Sequence, residues 1–169
     1  MRLTPRNVSD GDVSDIVDLY RVCYSSYMVE FNERTIREMI RDNVFVVVRN
    51  DRGQIICVGQ AEQVKIDTGG GGVWTLVEVS ENATLPDYRS MGLSQHARLV
   101  MIEAVRGPRT IIYVESRLNH AGVIGANLKI GMRPAGRLDH HTFMDSMASE
   151  VAQEGSYNTL LVMHLPVVV

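Results

Sequence analysis

Hydrophobic residues recur along the chain with two different spacings, and these spacings divide it into helices and strands. From Val13 to Tyr27, apolar and aromatic residues follow one another three or four positions apart, behind the capping stretch SDGDVSD. This spacing predicts an amphipathic helix. Further helices are predicted over Glu33 to Arg41, from Leu93 to Val105, and over residues 119–130, the last ending at Gly131.

Runs of β-branched and aromatic residues predict strands between these helices. They cover Arg2 to Val8, residues 44–48, 54–64, 73–85 and 110–116, and two further runs on either side of a loop at 145–156. Four consecutive glycines at 69–72 predict a flexible hairpin tip. The order of elements predicts an α/β domain with a mixed sheet and helices on both faces. Strands 73–85 and 110–116 are expected to be parallel neighbours, because such crossovers are right-handed.

Composition and charge narrow the classes of function. The chain has 169 residues, 45% hydrophobic and 22% charged, which is typical of a globular protein, and we expect a single domain over residues 1–169. Its formal net charge of -3 provides no basic excess for binding nucleic acid. No apolar run approaches the roughly 20 residues of a membrane span. Cys23 and Cys57 lack metal or redox spacing, so we expect free thiols in a cytoplasmic protein.

The stretch ATLPDYRSMGLS, residues 83–94, joins the strand 73–85 to the helix from Leu93. Pro86 ends the ladder of the strand, and Gly92 permits a backbone geometry that other residues disfavour. The first amides of the helix stay unpaired and can bind an anion, and Arg89 adds a guanidinium suited to phosphate. The G-K-[ST] ending of a nucleoside-triphosphate loop is absent. The stretch therefore predicts either an ordinary turn or a cradle for a phosphorylated ligand.

Two stretches together resemble the GNAT superfamily of N-acyltransferases, which bind acyl-coenzyme A. The family loop [R/Q]-x-x-G-x-[G/A] is similar to Arg89-Ser90-Met91-Gly92-Leu93-Ser94, with Ser94 replacing the second small residue, and its closing K-x-G-[F/Y] is similar to Lys129-Ile130-Gly131-Met132. The resemblance implies acetyl-CoA as cofactor. It also implies an α/β (α+β) fold of GNAT type, with a mixed, mostly antiparallel central sheet, one parallel strand pair and helices on both faces.

The resemblance also assigns cofactor-binding roles to individual residues. Loop amides would bind the pyrophosphate, the end of the strand would pair with the pantetheine arm, and a residue at the start of the last helix would lie near the thiol. The residues implied are Ala83, Thr84, Leu85, Arg89, Met91, Gly92, Leu93, Ser94, and Asn119 or His120.

Acyl transfer to an amine requires a base, and Glu78 and Glu81 on the strand 73–85 are the candidates. We prefer Glu81, which is nearest the expected thioester, with Glu78 second. Residues three apart face opposite sides of a regular strand, so only a bulge would bring both to one side. Each also has the simpler interpretation of a solvated strand residue.

The source of a proton for the leaving thiolate is less clearly marked. Many members of the family use a tyrosine four residues before the closing glycine, where this chain has Asn127. Tyr113, His120 or solvent are the alternatives, and Tyr113 is equally compatible with an ordinary core position. No metal site is predicted, because the adjacent His140 and His141 would point to opposite faces of a strand.

A narrower resemblance is to the acetyltransferase domain of β-lysine N-acetyltransferases, carried by EVSENATLPDYRSMGLSQHA and SRLNHAGVIGANLKIGM. It implies a small cationic amino acid as acceptor. The predicted function is transfer of an acetyl group from acetyl-CoA to a primary amine of a small molecule or peptide, without nucleic-acid or membrane partners. The alternative is a non-catalytic acyl-CoA-binding sensor or partner module. The apolar last strand and the VVV tail are suited to pairing between two copies, which allows a homodimer.

Overall fold

The computed structural model describes residues 6–24, 31–117, 121–141 and 158–166. Within these ranges, α1 covers Val13–Cys23, α2 Glu33–Asp42, α3 Leu93–Val105 and α4 Ala121–Lys129. The strands are β1 (Arg6–Asn7), β2 (Val44–Arg49), β3 (Ile55–Asp67), β4 (Val73–Thr84), β5 (Thr110–Arg117), β6 (Arg133–His141) and β7 (Asn158–His164). The glycine run forms the predicted hairpin tip, a short 3-10 turn at Gly69–Gly71 between β3 and β4.

The seven described strands form one sheet in the order β1-β2-β3-β4-β5-β7-β6. All neighbours are antiparallel except β4 and β5, whose parallel pairing runs from Thr75 opposite Thr110 to Glu78 opposite Tyr113. The predicted mixed, mostly antiparallel sheet with one parallel pair is therefore confirmed, as is the identity of the parallel strands.

Helices cover both faces of the sheet, as predicted. Residues of β2 alternate between the faces, so that Phe45 and Val47 join a core cluster with α1 and α2, whereas Val46 and Val48 join a second cluster with α3. Part of α4 packs on the α3 side through Ile124. The two clusters hold the sheet between two layers of helices.

Several predicted boundaries differ from the structure at the ends of elements. The strand predicted over 73–85 ends at Thr84, because Pro86 begins a 3-10 turn. The first helix ends at Cys23, although its apolar pattern continues to Tyr27. Residues 25–30, the predicted helix start at Asn119 and His120, and the predicted loop at 145–156 lie outside the described residues.

The last strand occupies a position that the sequence analysis did not anticipate. β7 lies between β5 and β6 and pairs with both of them, so each of its edges is already used within the chain. The expectation that this strand pairs with a second copy is therefore wrong. The VVV tail, residues 167–169, lies outside the described residues.

Candidate active site

The two parallel strands separate at the point where an acidic and an aromatic residue meet. Their last shared pair is Glu78 opposite Tyr113, after which β4 continues to Thr84 and β5 pairs only with β7. A wedge, called here the β4–β5 wedge, opens between residues 79–84 and residues 114–117. Along it, the β4 edge that faces β5 has no strand partner among the described residues.

A β-bulge interrupts β4 inside the wedge. Between the pairs Val58–Ala83 and Gln60–Ser80, β4 has one residue more than β3, so two residues of β4 face Gly59 alone. A Cβ atom on Gly59 would lie 2.6 Å from a methionine Cε of α3 and 2.8 Å from the side chain of a bulge residue. A side chain at this position of β3 would displace the ends of these two side chains, so the bulge packs closely against Gly59.

The bulge changes which residues of β4 face each side of the sheet. Val77 and Val79 belong to the core cluster under α3, whereas Ala83 belongs to the cluster under α1, which regular alternation would not allow. The sequence predicts that both carboxylates share a face only with a bulge between Glu78 and Glu81. In the structure, residues 78–80 keep the regular register with β3, and the bulge lies at residues 81–82. The side chain of Glu81 is outside what the structure describes, so its role stays a prediction.

Glu78 lies half-buried at the mouth of the wedge, on the face opposite α3. Its Oε2 accepts a hydrogen bond of 3.1 Å from the hydroxyl of Tyr113. Burial raises the pKa of Glu78, the bond from Tyr113 lowers it, and the nearby carboxylates of Glu115 and Glu62 raise it again, so the net direction is upward. A carboxylate with a raised pKa is suited to act as a general base near neutral pH.

Tyr113 is arranged to orient this carboxylate. Burial raises the pKa of Tyr113, and the charge of Glu78 raises it further, so the hydroxyl keeps its proton more firmly than an ordinary tyrosine. Because it already donates to Glu78, it is a poorer proton source for a leaving group than the sequence analysis supposed.

Three glutamates, named here the acidic row, line one face of the sheet at the wedge. Glu62 is directly opposite Glu78 across β3 and β4, and Glu115 lies two residues beyond the tyrosine of β5. Gln60, which is fully buried, donates from Nε2 to Glu62 Oε1 at 3.0 Å, and its own Oε1 accepts no hydrogen bond from the described residues. This surface has an excess of acceptors, which favours a ligand rich in N–H donors or positive charge.

The loop between β4 and α3 has two residues in the left-handed region. Ser90 has φ 65° and Gly92 has φ 75°, a region that glycine adopts readily and serine rarely. The first hydrogen bond of α3 runs from His96 N–H to Gly92 O, so the amides of residues 93–95 precede it and remain at the positive end of the helix. Such an arrangement of amides is suited to binding an anion.

Arg89 is folded back onto the end of β4. Its amide donates to Pro86 O at 3.1 Å and its Nε donates to Thr84 O at 3.3 Å, a carbonyl that also accepts from the Cys23 thiol at 3.5 Å. Because the N–H of Leu85 bonds to β3, this carbonyl points the opposite way, toward the wedge. The predicted cofactor contacts of Arg89 and Thr84 are thus occupied here by bonds within the chain, and a ligand would have to displace the guanidinium.

The remaining predicted cofactor residues differ in what they offer a ligand. The side chains of Ala83 and Leu93 are buried in the core, at 3% and 5% exposed, so only their backbone is available. Met91, by contrast, is 57% exposed at the tip of the loop. Leu85 is half-buried, and Ser94 lies in the first turn of α3.

A series of buried hydrogen bonds joins α3, α4 and β5 on the face of the sheet that α3 covers. Asn127 is fully buried, its Oδ1 accepts a hydrogen bond from Arg98 Nη1, and its Nδ2 donates to Ser116 Oγ at 3.1 Å. Arg98 is only 7% exposed, and its Nε has no hydrogen-bond partner among the described residues. Position 127 is marked in the sequence by its departure from the family pattern, whereas Arg98 and Ser116 are not among the predicted site residues. The available signal was a charged residue beside the apolar stripe of α3.

The described residues contain neither a membrane-spanning helix nor a cluster of metal ligands. None of the helices there is long and apolar enough to cross a membrane. Within the same part of the chain, no three or more histidine, cysteine, aspartate or glutamate residues are grouped as metal ligands would be.

Several solved structures with the same fold are acetyltransferases. NAA60 from Arabidopsis thaliana, in complex with a bisubstrate analogue, has a TM-score of 0.74 and 13% identity over 96% of this chain and 97% of that one. A GNAT superfamily phosphinothricin acetyltransferase from Sinorhizobium meliloti, in complex with AcCoA, has a TM-score of 0.74 and 17% identity over 99% and 89%.

The ribosomal-protein-S18-alanine N-acetyltransferase from Escherichia coli has a TM-score of 0.72 and 14% identity over 99% of this chain and 96% of that one. No family model and no curated protein matches the sequence. At these identities the likeness shows the fold, and it confirms at that level the resemblance that the two sequence stretches indicated.

Proposed function

From the GNAT-type fold of this chain, we propose that the protein transfers an acetyl group from acetyl-CoA to a primary amine. The observation that carries the proposal is the β4–β5 wedge with the half-buried Glu78 at its mouth. The S. meliloti acetyltransferase of the same fold contains AcCoA, and an Arabidopsis one has been solved with acetyl-CoA. Acetyl-CoA supplies an acyl group that is already activated as a thioester.

The residues of this chain fit such a donor. We assign its pyrophosphate to the amides at the start of α3, where the left-handed Gly92 directs the backbone and the helix dipole favours an anion. The pantetheine arm would pair with the free edge of β4 at residues 83–85. Arg89, released from Thr84 O, would then be available for a phosphate oxygen.

Glu78 is the base that the described side chains support best. The amine nitrogen attacks the acyl carbon, its proton passes to Glu78 directly or through water, and the electrons of the broken C–S bond remain on sulfur. The raised pKa of Glu78 matches this role, and Tyr113 orients it. Glu81, which is preferred on sequence grounds, is the alternative base. The variants Glu78→Gln and Glu81→Gln distinguish the two assignments.

The acidic row indicates the class of acceptor. Glu62, Glu78 and Glu115 lie on one face of the sheet, and their carboxylates favour positive charge. We infer that the acceptor is a primary amine with a second positive charge. This agrees with the cationic amino acid that the narrower sequence resemblance implies.

The test is release of free thiol from acetyl-CoA across a panel of amines. Lysine, β-lysine and short diamines are expected to be acetylated faster than neutral amines of the same length. Stabilisation by acetyl-CoA without turnover on any amine would favour the alternative, a non-catalytic acyl-CoA-binding module. No thermal shift with acetyl-CoA would contradict both.

A further inference from the structure

The thiolate that leaves in the proposed reaction requires a stabilising group, and the described structure has no tyrosine where the family usually places its acid. Asn127 is fully buried there, and both polar atoms of its side chain are already bonded, one to α3 and one to β5. A neutral carboxamide is not an acid. Whatever stabilises the sulfur must therefore be another group near this position.

Arg98 lies beside the wedge and is linked to its β5 wall. On the β5 side it is bonded through Asn127 to Ser116, which belongs to the part of β5 that has separated from β4. Arg98 also interacts electrostatically with Cys57 of β3, which lies in the core cluster under α3 and whose sulfur accepts a hydrogen bond of 3.3 Å from Thr84 Oγ1 of β4. The guanidinium thus lies beside the wedge, on the face covered by α3.

The guanidinium of Arg98 has an N–H donor without a hydrogen-bond partner among the described residues. An arginine carries five N–H donors, and the buried Nε of Arg98 finds no acceptor among the described residues. No carboxylate is paired with this cation in the described part of the chain. A buried cation without a counter-ion is costly to maintain, and an anionic ligand group would offset that cost.

We propose that Arg98, held in place by Asn127 and Ser116, stabilises the thiolate released from the acyl-CoA donor and so replaces the usual tyrosine acid. This inference rests on the proposed function. In this proposal, Glu78 and Arg98 act from opposite faces of the sheet. Val77 and Val79 face α3, so Glu78, which lies between them on β4, points to the other face. The proton of the amine and the charge on sulfur are thereby handled by separate groups.

The proposal has a binding consequence that does not require turnover. A cation beside the thiol of bound CoA lowers the pKa of that thiol below its value in solution, about 8.5 or above for an alkyl thiol. CoA affinity then rises with pH through the lowered pKa and levels off above the pKa of free CoA. Among the described side chains, the titratable groups that act electrostatically on Arg98 are Cys57 of β3, on the same face, and Tyr24, on the opposite face. Burial lowers the pKa of Arg98, and both of these groups raise it.

The experiment compares CoA with desulfo-CoA, an analogue without the thiol, by titration calorimetry from about pH 6.5 to 9.5. In the unmodified protein, CoA affinity relative to the analogue is expected to rise roughly tenfold, the equivalent of about one pKa unit. Arg98→Met, which keeps the volume and removes the charge, is expected to reduce this rise to less than about twofold, and Arg98→Lys to retain part of it. The matched control is Arg106→Met, which removes an exposed cation at the end of the same helix and leaves the rise intact.

The outcomes are distinct. Equal pH dependence for the two ligands in the unmodified protein, or an undiminished rise in Arg98→Met, would overturn the inference and leave the proposed function standing. Failure of both ligands to bind would overturn the proposed function and the inference with it. The comparison on the unmodified protein needs no variant, so it remains decisive if Arg98→Met does not fold.

Discussion

The hydroxyl of Tyr113 donates a 3.1 Å hydrogen bond to Glu78 across the last residue pair that β4 and β5 share. The bond therefore lies where the two strands begin to separate, and it fixes a carboxylate at the mouth of the β4–β5 wedge. Both residues are candidates on sequence grounds, where Glu78 is predicted as a base and Tyr113 as a separate acid. In the structure they form a pair in which one orients the other.

Replacing Glu78 by glutamine is expected to lower kcat/KM by roughly 10²–10⁴-fold, the usual contribution of a general base. The acceptor for this test is an amine that stays neutral over the whole pH range. The rate of the unmodified protein is then expected to rise with pH as Glu78 loses its proton. This rise is expected to be absent in Glu78→Gln. The measurement is a pH profile of thiol release. Glu81→Gln is the parallel variant, and a profile altered there but not in Glu78→Gln would transfer the base role to Glu81.

Tyr113→Phe tests the orienting bond. The hydrogen bond from Tyr113 lowers the pKa of Glu78, so its removal is expected to raise that pKa and move the rising limb of the pH profile to higher pH. The plateau rate should change less than the position of the limb. Tyr88→Phe is the control, because it removes a hydroxyl that bonds to Asn50 at 3.0 Å instead. Coincident limbs for Tyr113→Phe and the unmodified protein would contradict the proposed pair.

Gly92→Val is expected to abolish the thermal stabilisation that acetyl-CoA confers. The residue has φ 75°, and an L-residue in this region costs about 1–2 kcal/mol, so the loop would change conformation and redirect its amides. Gly53→Val is matched, because Gly53 has φ 80° and is equally open, but lies in the turn between β2 and β3. Both variants should lose similar stability, and only the first should lose the ligand response. Undiminished affinity for acetyl-CoA in Gly92→Val would remove the loop from the site.

Asp12→Asn tests an ion-pair network that is remote from the acidic row. The carboxylate is 1% exposed; burial opposes its ionisation, but hydrogen bonds from Arg6, Arg49 and Ser9 outweigh burial and hold the pKa of Asp12 well below its usual range. The variant is expected to lower the free energy of unfolding by about 3 kcal/mol at pH 7.

The pH dependence of that loss has a definite sign. A lowered pKa in the folded state stabilises the protein above the unfolded value of about 3.9, and this contribution disappears as pH falls through the folded pKa. The difference in urea unfolding between Asp12→Asn and the unmodified protein should therefore shrink at acid pH. Asp18→Asn, whose side chain is 74% exposed beside Arg21, should cost less than about 1 kcal/mol, and an equal loss in both variants would contradict the account.

The secondary-structure elements and the loop between β4 and α3 could be predicted from the local sequence. Apolar spacing sets which face of a helix or strand is buried, and this is a local property, so α2, α3 and β2 lie within a residue or two of their predicted bounds. Pro86 and Gly92 restrict or extend the backbone angles at their own positions. Pro86 therefore marks the end of β4, and Gly92 marks the start of α3.

The assembly of the candidate site, in contrast, follows from contacts between elements that are distant in the chain. The bulge in β4 is a feature of its register against β3, and it decides which residues face the acidic row. Arg98, Asn127 and Ser116 come together because α3 and α4 pack on the same face, and β7 inserts between β5 and β6 through long-range pairing. Strand register and burial of a polar side chain depend on partners distant in the chain, and local pattern carries no information about those partners.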